Sequence, residues 1–304
     1  MSTALSPFLP GTKLQYALDS TSLGAAKKCL RYYHYSIIEG WRKKDESVHL
    51  RFGGELAKWV EFYWKCRFAN GDDHEAALDE TVGWMLYSIL DWNPDHPKKN
   101  RETLVRSVIW YLDAYKDDPA KPIILANGQP AVELSFKIEL PWEAAPGQPY
   151  IYCGHMDRIA DYAGDNFVVD EKTTAGGIGA YFFNDFNPST QMTGYTFAGK
   201  VIFGIPIAGV IIDAIKVVTG FTEFARGFTM RTEGQLAEWL EDTKHWTEII
   251  KFAVERDYFP QNDQSCHQYG GCVSREVCSQ DPMVRKEFLE TYFEVNRWNP
   301  LEKR

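Results

Sequence analysis

The chain has 304 residues, of which 44% are hydrophobic and 25% are charged. This length can bury a sizeable core, and this composition is typical of a globular protein rather than a disordered one. The formal net charge of −9 argues against a protein that coats nucleic acid non-specifically, although an acidic metal site beside a local basic channel would still be compatible with DNA as a substrate.

Neither the N-terminal residues nor the most apolar stretch of the chain is typical of a segment that inserts into a membrane. The N-terminal residues 1–6 lack the basic start and apolar run of a signal peptide. The most apolar stretch, residues 201–218, contains Pro206, Asp213 and Lys216, so it predicts a buried strand rather than a membrane span. We therefore expect a cytoplasmic protein that has no membrane partner.

The first part of the chain is predicted to be helical. Residues 1–20 form a lead-in for which the sequence predicts little structure, and residues 21–118 form a helical region. Breakers at residues 93–97 separate two of its helices. The predicted helices are one that Ser22 caps and that runs through Ala25 and Ala26, then 56–68, 75–90 and 102–115.

Strands dominate the centre of the chain. Residues 131–140 alternate between apolar and polar side chains, which is typical of a strand with one buried face. Further strands are predicted at 150–159, 166–172 and 208–218, with helices at 189–201, 236–256 and 282–295. The pattern favours an α/β (α+β) fold in which a mixed central sheet is flanked by helices. We predict one domain over residues 21–304, with its core at 130–220 and C-terminal helices at 230–304.

An acidic cluster lies in this strand-rich centre. Asp170 and Lys172 are two residues apart in a strand, so their side chains share a face and the side chain of Glu171 points away. An antiparallel strand that ends at Asp157 would add a second carboxylate. Two neighbouring carboxylates require a cation, and their hard oxygen atoms suit Mg²⁺ or Mn²⁺. A nearby lysine can stabilise charge that develops on a phosphate.

The Asp-x-Lys tripeptide alone is more often an exposed, charged hairpin than a metal site. Its interpretation changes because Gln191 and Tyr195 follow at i, i+4 spacing on a predicted helix, which places both side chains on one face. The ordered set of chemically suitable residues therefore favours a site over a solvated turn.

The cysteines suggest a second site. Three of the six, Cys266, Cys272 and Cys278, lie within thirteen residues, and a chain without a secretory signal favours metal binding or burial over disulfides. Thiolates select zinc or an iron–sulfur cluster. Three cysteines are one short of four ligands, which a distant cysteine or His267 would supply. Cys66 and Cys153 are predicted to be small buried apolar side chains.

The order Glu133, Gly154-x-x-Asp157, Asp170-x-Lys172 and Gln191-x-x-x-Tyr195 resembles the RecB-like branch of the PD-(D/E)XK nuclease superfamily, which includes Cas4 and the AddB nuclease domain. The resemblance implies that Asp157 and Asp170 bind the metal through their side chains and Glu171 through its carbonyl. It gives Lys172 a part in catalysis and implies that Gln191 and Tyr195 orient the site and contact DNA. Glu133 matches an acidic residue on the preceding strand.

One position departs from this pattern. Relatives carry a Gly-x-x-x-His metal ligand on an early helix, whereas the matching segment 52–58 has Ala57 or Lys58 at that position. Glu55, Glu61 or His155 could replace the missing histidine as the third protein ligand, and the sequence leaves these alternatives open.

The resemblance also bears on the cysteines. Cas4 and AddB-type nucleases hold a 4Fe–4S cluster with one cysteine before the nuclease core and three after it, which implies Cys29, Cys266, Cys272 and Cys278 as ligands here. Leu30 stands where the family has proline after the first cysteine. Zinc is the alternative metal.

The function implied is that of a Mg²⁺- or Mn²⁺-dependent deoxyribonuclease, with exonuclease action on DNA ends or single strands as the expected mode. The chain has no phosphate-binding loop of the Walker type, so cleavage would occur without an ATP motor. Recombination or replication proteins are possible partners, in a bacterium or a phage-infected cell. The alternative is a DNA-end-binding recombination or repair partner with weak or no catalysis.

Overall fold

The structure is a computed structural model that describes residues 5–44, 47–268 and 271–302. Short π-helical turns at His34–Ile38 and Cys66–Asn70 and a 3₁₀ turn at Asp263–Ser265 accompany the α-helices. The α-helices of the described residues are α1 (Ser20–Lys28), α2 (Leu30–Tyr33), α3 (Val48–Lys65), α4 (His74–Ser88), α5 (Arg101–Ala114), α6 (Ala180–Asn184), α7 (Thr190–Phe203), α8 (Glu233–Glu255), α9 (Arg275–Cys278) and α10 (Arg285–Tyr292).

The strands of the same residues are β1 (Ala17–Leu18), β2 (Trp41–Lys43), β3 (Lys121–Pro122), β4 (Val132–Ala145), β5 (Gln148–Tyr162), β6 (Asp165–Thr174), β7 (Ile207–Val217), β8 (Thr222–Met230) and β9 (Phe293–Val295). None of the described helices is long and apolar enough to span a membrane.

Polar side chains define where the helices begin. Asp19 accepts a hydrogen bond from the amide of Ser22 at 2.8 Å, so α1 begins at Ser20 and the predicted cap at Ser22 is wrong. Asn100 and Thr103 form a reciprocal capping box at the start of α5, which satisfies amides that lack helical partners. Ser189 caps α7.

The chain forms two compact units. The first comprises Met1–Glu46, Ser135–Gly154 and Glu233–Arg304, and the second comprises Ser47–Leu134 and His155–Thr232. In the first unit β1 pairs in parallel with the start of β5, and β2 pairs antiparallel with β9. The ring of Tyr152 on β5 packs against Trp239 of α8 with centroids 4.9 Å apart, so α8 covers this part of β5.

The second unit contains the sheet order β3–β5–β6–β7–β8. β5 and β6 form an antiparallel hairpin whose turn residues, Ala163 and Gly164, have φ angles of 56° and 91°, as tight hairpin turns require. β6 and β7 are parallel, with Asp170 opposite Ile212, and a parallel pair needs a crossover, which α6 and α7 provide. β8 then pairs antiparallel with β7.

The core of the second unit lies between α3, α4, α5 and the sheet. It consists of buried aromatic and aliphatic side chains that include Phe52, Leu56, Tyr63, Met85, Leu104, Val108, Tyr111 and Ile215. The strand β7 is buried at nearly every position, which explains why its sequence is an apolar run rather than an alternating pattern.

The predicted fold class, a mixed central sheet flanked by helices, is confirmed. Besides the Ser22 cap, two local predictions were wrong and one strand was not predicted. Residues 5–20 contain β1 and the buried Leu14. Strand β8 was not predicted. The last helix ends at Tyr292 and is followed by β9, which pairs with β2. The single domain over residues 21–304 and its internal boundaries remain predictions.

Candidate functional site

Strand β6 carries two of the predicted site residues on one face. The Nζ atom of Lys172 lies 2.6 Å from Oδ2 of Asp170, and Asp170 is only 1% exposed. Lys172 bonds to this oxygen and pairs with its charge, and no other described residue donates to it. Because a carboxylate oxygen has more than one lone pair, Oδ2 can also ligate a cation.

The neighbouring strand β5 adds the second carboxylate. Oδ2 of Asp157 accepts a hydrogen bond from the amide of Glu171 at 3.3 Å. The antiparallel register pairs Arg158 with Val169, which brings Asp157 to the level of Asp170. The strand, predicted over 150–159, runs from Gln148 to Tyr162 and so continues past Asp157. We refer to Asp157, Asp170 and Lys172 as the carboxylate site.

Burial and charge shift the protonation equilibria of this site. Burial raises the pKa of Asp170 to about 6, the charge of Lys172 opposes that rise, and the charge of Asp157 adds to it. The pKa of Glu171 is raised well above its ordinary value, first by burial and then by Asp157. Burial would lower the pKa of Lys172, but Asp170 and Asp157 more than offset this effect and raise it. The site therefore has an excess of negative charge.

The side chain of Glu171 turns away from Asp170 and Lys172, as predicted, but its carboxyl group still interacts with that of Asp157. Its carboxylate lies 3.3 Å from the hydroxyl of Tyr111, which also donates to Asp213 at 2.9 Å. An arginine side chain that is 1% exposed, Arg158, lies 3.9 Å from the same carboxylate. Glu171 is thus anchored in the interior of the second unit.

A buried ion network extends this anchor. Arg226 donates to both oxygens of Asp213 and to both oxygens of Asp118, at 2.6–2.8 Å. Arg158 lies 3.3 Å from Asp118 and 3.5 Å from Asp213. We refer to Tyr111, Asp118, Arg158, Asp213 and Arg226 as the ion network. Because buried charges are costly unless they are paired, its members hold β5, β7 and β8 in one arrangement.

The net charge of this region shows whether it could accommodate a metal ion. The carboxylate site, Glu171 and the ion network together contain five carboxylates and three cationic side chains, which leaves two negative charges when all are ionised. One divalent cation would balance them. The donors beside Asp170 are oxygen atoms, which is the set that Mg²⁺ and Mn²⁺ prefer.

A third side-chain ligand does not join the two aspartates. Among the described residues, no third histidine, cysteine or carboxylate forms with Asp157 and Asp170 a group whose ligand atoms all lie within 4.8 Å of one another. Glu55 accepts from Trp59, and Glu61 contacts Lys65. His155 lies 3.8 Å from Glu133. A metal ion at this site would have two carboxylates as its side-chain ligands and water at other positions, which Mg²⁺ tolerates well because it keeps several waters.

The remaining predicted site residues lie in the same unit. The Nε2 group of Gln191 donates to the Tyr195 hydroxyl at 2.9 Å, so the two side chains share a face of α7 as predicted. Glu133 has a φ angle of 50°, which a residue other than glycine rarely adopts.

A steric constraint explains why glycine stands at the first position of the Gly-x-x-Asp motif. A Cβ atom at Gly154 would lie 2.8 Å from the ring of Phe136, which is closer than van der Waals contact permits. The glycine therefore allows the two strands of the β4–β5 hairpin to keep Phe136 buried.

The first unit brings Cys29 to the C-terminal cysteines. The Cys29 sulfur accepts a hydrogen bond from the amide of Asn262 at 3.2 Å, and the Cys266 sulfur lies 3.8 Å from the carbonyl of the same residue. Arg31 and Ser265 reinforce this contact by bonding across it. Residues that are more than 230 positions apart in sequence are thus held side by side.

Cys272 and Cys278 complete this arrangement, which we call the cysteine site. The amide of Cys272 donates to the Cys266 carbonyl at 3.0 Å. A cavity of about 550 Å³ is lined by Cys266, Cys278 and His267 among others. Burial raises the pKa of Cys278, while Arg31 and Arg285 oppose the rise. Among the described residues, no three of these ligand atoms lie within 4.8 Å of one another.

This spacing bears on the choice of metal. Four thiolates at about 2.3 Å from one zinc ion lie within about 4 Å of each other, which is closer than the arrangement here. A four-iron cluster binds each thiolate to a different iron atom and therefore spaces the sulfur atoms further apart. The donor set fits zinc and a four-iron cluster alike.

The other two cysteines are buried, as predicted. Burial and the neighbouring carboxylate of Glu80 raise the pKa of Cys66 to about 11. The ligand atoms of Cys66, Asp72 and Glu80 lie within 4.8 Å of one another, a proximity that no pattern in the sequence predicts.

None of the pairings in the ion network was predicted from the sequence. One signal was available, because Asp213 is the only acidic residue in the apolar run of β7, and a carboxylate in a buried strand requires a partner. Its partners come from α5, β5 and β8, and the second carboxylate of the network, Asp118, comes from the segment before β3, so no local pattern identifies them.

Comparison with known proteins gives structural neighbours only. No protein-family model matches the chain, and no curated protein matches it. It is similar in structure to a candidate exonuclease from Eubacterium rectale, with 14% identity and a TM-score of 0.48 over 83% of this chain and 88% of that one. It is also similar to the protein SSO0001, with 13% identity and a TM-score of 0.32 over 76% of each chain.

Proposed function

We propose that the chain is a metal-dependent deoxyribonuclease of the PD-(D/E)XK class, RecB-like in its motifs, that hydrolyses phosphodiester bonds as an exonuclease. The observation that carries the proposal is the carboxylate site itself. Two carboxylates from adjacent strands meet beside a lysine, in a buried environment that is short of positive charge. DNA, as ends or single strands, is the proposed substrate.

Each site residue has a proposed task. Asp157 and Asp170 hold the metal ion through their side chains, and Glu171 holds it through its carbonyl. When bound, Mg²⁺ or Mn²⁺ polarises the scissile phosphate and balances its charge. Lys172 stabilises the negative charge that develops on the phosphate during attack by water. Gln191 and Tyr195 orient the site toward DNA, and Glu133 supports it from the preceding strand.

An oligonucleotide assay tests this function. Single- and double-stranded DNA labelled at either the 5′ or the 3′ end would be incubated with the protein and with Mg²⁺, Mn²⁺ or EDTA. We expect metal-dependent release of short products from an end, and the label that is lost first gives the polarity. Intact DNA in the presence of both metals would contradict the nuclease proposal.

A second candidate is a DNA-end-binding recombination or repair partner that keeps the fold but cuts weakly or not at all. The observation that favours it is the position of the family's histidine, where Ala57 or Lys58 stands. No other described side chain replaces that ligand beside both aspartates. Retention of a labelled DNA end without cleavage, measured in the same samples by gel shift, would identify this function.

We propose that Cys29, Cys266, Cys272 and Cys278 bind a 4Fe–4S cluster, with Zn²⁺ as the alternative. The convergence of Cys29 with the three C-terminal cysteines supports it. Protein purified without oxygen should be brown, absorb broadly near 400 nm and contain about four iron atoms per chain. Stoichiometric zinc without iron would support the alternative. A cytoplasmic location, and recombination or replication proteins as partners, belong to the same proposal.

A further inference from the structure

The exposed face of helix α4 is apolar over its last turns. The exposed fractions are 54% for Trp84, 45% for Leu86, 71% for Tyr87 and 58% for Leu90, which follows the helix. The rings of Trp84 and Tyr87 lie edge to face, with centroids 6.3 Å apart. A surface helix normally presents polar residues to solvent, so this face departs from the ordinary pattern.

The core does not require these side chains. The opposite face of α4 contributes Ala77, Thr81 and Met85 to the interior, and Ile89 after the helix is also fully buried. That face already attaches the helix to α3 and α5. Contiguous apolar side chains that remain exposed after the core is complete are typical of a binding surface.

The segment that carries these side chains is strongly acidic, and the cation that reaches its apolar end is Arg101 of α5, which donates a hydrogen bond to the Leu90 carbonyl at 2.8 Å. Between Arg67 and Lys98 the sequence contains seven aspartate and glutamate residues and no lysine or arginine. Three of the acids, Glu75, Asp79 and Glu80, are exposed on the first half of α4. Helical spacing aligns 75, 79, 86 and 90 in one row and 80, 84 and 87 in a second row. Each row starts acidic and ends apolar.

The negative charge of this face favours a basic protein segment as its partner over DNA, lipid or a second copy of the chain. A DNA backbone and an anionic lipid surface are both negative, so each would be repelled by the acidic half of the face. A second copy of the chain that used the same face symmetrically would bring two acidic rows together. A protein segment with basic and apolar side chains is complementary to both halves.

We propose that this face of α4, defined by Glu75, Asp79, Glu80, Trp84, Leu86, Tyr87 and Leu90, binds a basic amphipathic segment of another protein. Apolar side chains of the partner cover the aromatic half, and its lysine or arginine side chains pair with the acidic half. The proposal stands on the surface of α4 alone and does not depend on whether the carboxylate site cuts DNA.

Two labelled peptides test the proposal on the full chain. Both have the same leucine positions on one helical face, and the polar positions carry lysine in one peptide and glutamate in the other. Fluorescence anisotropy should show the lysine peptide binding at least about tenfold more tightly, with affinity falling as salt is added. Trp84→Ser combined with Tyr87→Ser should weaken that binding by at least about tenfold.

Matched control variants distinguish specific binding at this face of α4 from non-specific hydrophobic binding. Phe252→Ser combined with Tyr258→Ser removes two aromatic side chains that are equally exposed elsewhere and should leave binding unchanged. Glu75→Lys combined with Asp79→Lys should reverse the preference between the peptides. Equal binding of both peptides, or full binding by the Trp84/Tyr87 variant, would overturn the proposal. A dimer in light scattering that this variant abolishes would also overturn it, since a second copy would then be the occupant.

Discussion

The carboxylate site and the cysteine site are built in opposite ways. Asp157, Asp170 and Lys172 lie on two adjacent strands, and hydrogen-bond register fixes their spacing. The four cysteines lie in loops and short helical turns, and hydrogen bonds between segments more than 230 residues apart bring them together. One site is positioned by local backbone geometry, whereas the other depends on closure of a long chain segment.

This difference predicts different consequences of mutation. A site fixed by strand register keeps its scaffold when a side chain is removed, so such a change should affect chemistry more than folding. Where a site joins distant segments, the free energy of binding its metal also stabilises the folded protein, because the unfolded chain does not hold the ligands together. Activity and stability should therefore respond separately in the two regions.

The largest effect is expected at the carboxylate site. Asp170→Ala, Asp157→Ala and Lys172→Ala should each lower kcat/KM for oligonucleotide cleavage by at least about 10³-fold, because each removes one element of a single site. Circular dichroism should show an unchanged fold. Asp161→Ala, which removes an exposed carboxylate from the same strand, should retain activity. Full activity in Asp170→Ala would show that the metal site lies elsewhere.

The cysteine site should respond in stability instead. Cys278→Ala should lower the free energy of unfolding by about 5 kcal/mol, because loss of one ligand releases the cluster, and a cross-link over more than 230 residues contributes about that much through chain entropy. Cys66→Ala removes only a small buried side chain and should cost about 1 kcal/mol. Thermal melts of anaerobically purified protein, with solubility as a second readout, measure both values.

Activity of the same variant gives the decisive comparison. The loss of cleavage in Cys278→Ala should track the loss of folded protein, since no cysteine is proposed to touch the phosphate. A variant that stays fully folded and only stops cutting would mean that the cluster acts directly in the reaction, and the contrast between the two regions would fail.

The sequence predicted the strand-borne site better than its surroundings. The Asp-x-Lys spacing places Asp170 and Lys172 on one face of any strand, and i, i+4 spacing does the same for Gln191 and Tyr195 on any helix. Both juxtapositions are present in the structure. They follow from backbone periodicity, which is a local property of the sequence.

Long-range contacts could not be predicted in this way. Arg226 meets Asp118 across more than 100 residues, and β8 was not predicted although its partner β7 was. Strand β8 pairs with the otherwise open edge of β7, and its Arg226 supplies the positive charge beside Asp213. No local pattern in the sequence predicts either contact. The strand β9 similarly exists because β2 is available to pair with it.

The ion network should matter for stability more than any surface pair. Arg226→Met leaves Asp118 and Asp213 buried with less compensation, which should lower the free energy of unfolding by about 3–4 kcal/mol. Lys216→Met breaks the more exposed pair with Glu223 and should cost less than about 1 kcal/mol. Urea denaturation measures both, and equal losses would mean that burial of the network has no energetic weight.

The pH dependence of this effect has a defined sign. Burial alone would raise the pKa of Asp118, but its bonds to Arg226 lower the pKa below the ordinary value. A carboxyl group with a lowered pKa contributes stability above its unfolded pKa and loses it as the pH falls through the folded pKa. The difference between the wild type and Arg226→Met should therefore be largest at neutral pH and shrink in acid.

The smallest expected effect tests whether the ion network also positions the carboxylate site. Tyr111→Phe keeps the buried ring and removes only the hydroxyl that lies between Asp213 and Glu171. Loss of one buried hydrogen bond should cost about 1 kcal/mol of unfolding free energy. Because Arg226 still holds Asp213 and β6 keeps its register, kcat/KM should stay within about threefold of the wild-type value. A fall of a hundredfold in a folded Tyr111→Phe protein would mean that strand register is insufficient and that the network behind Glu171 sets the geometry of the site.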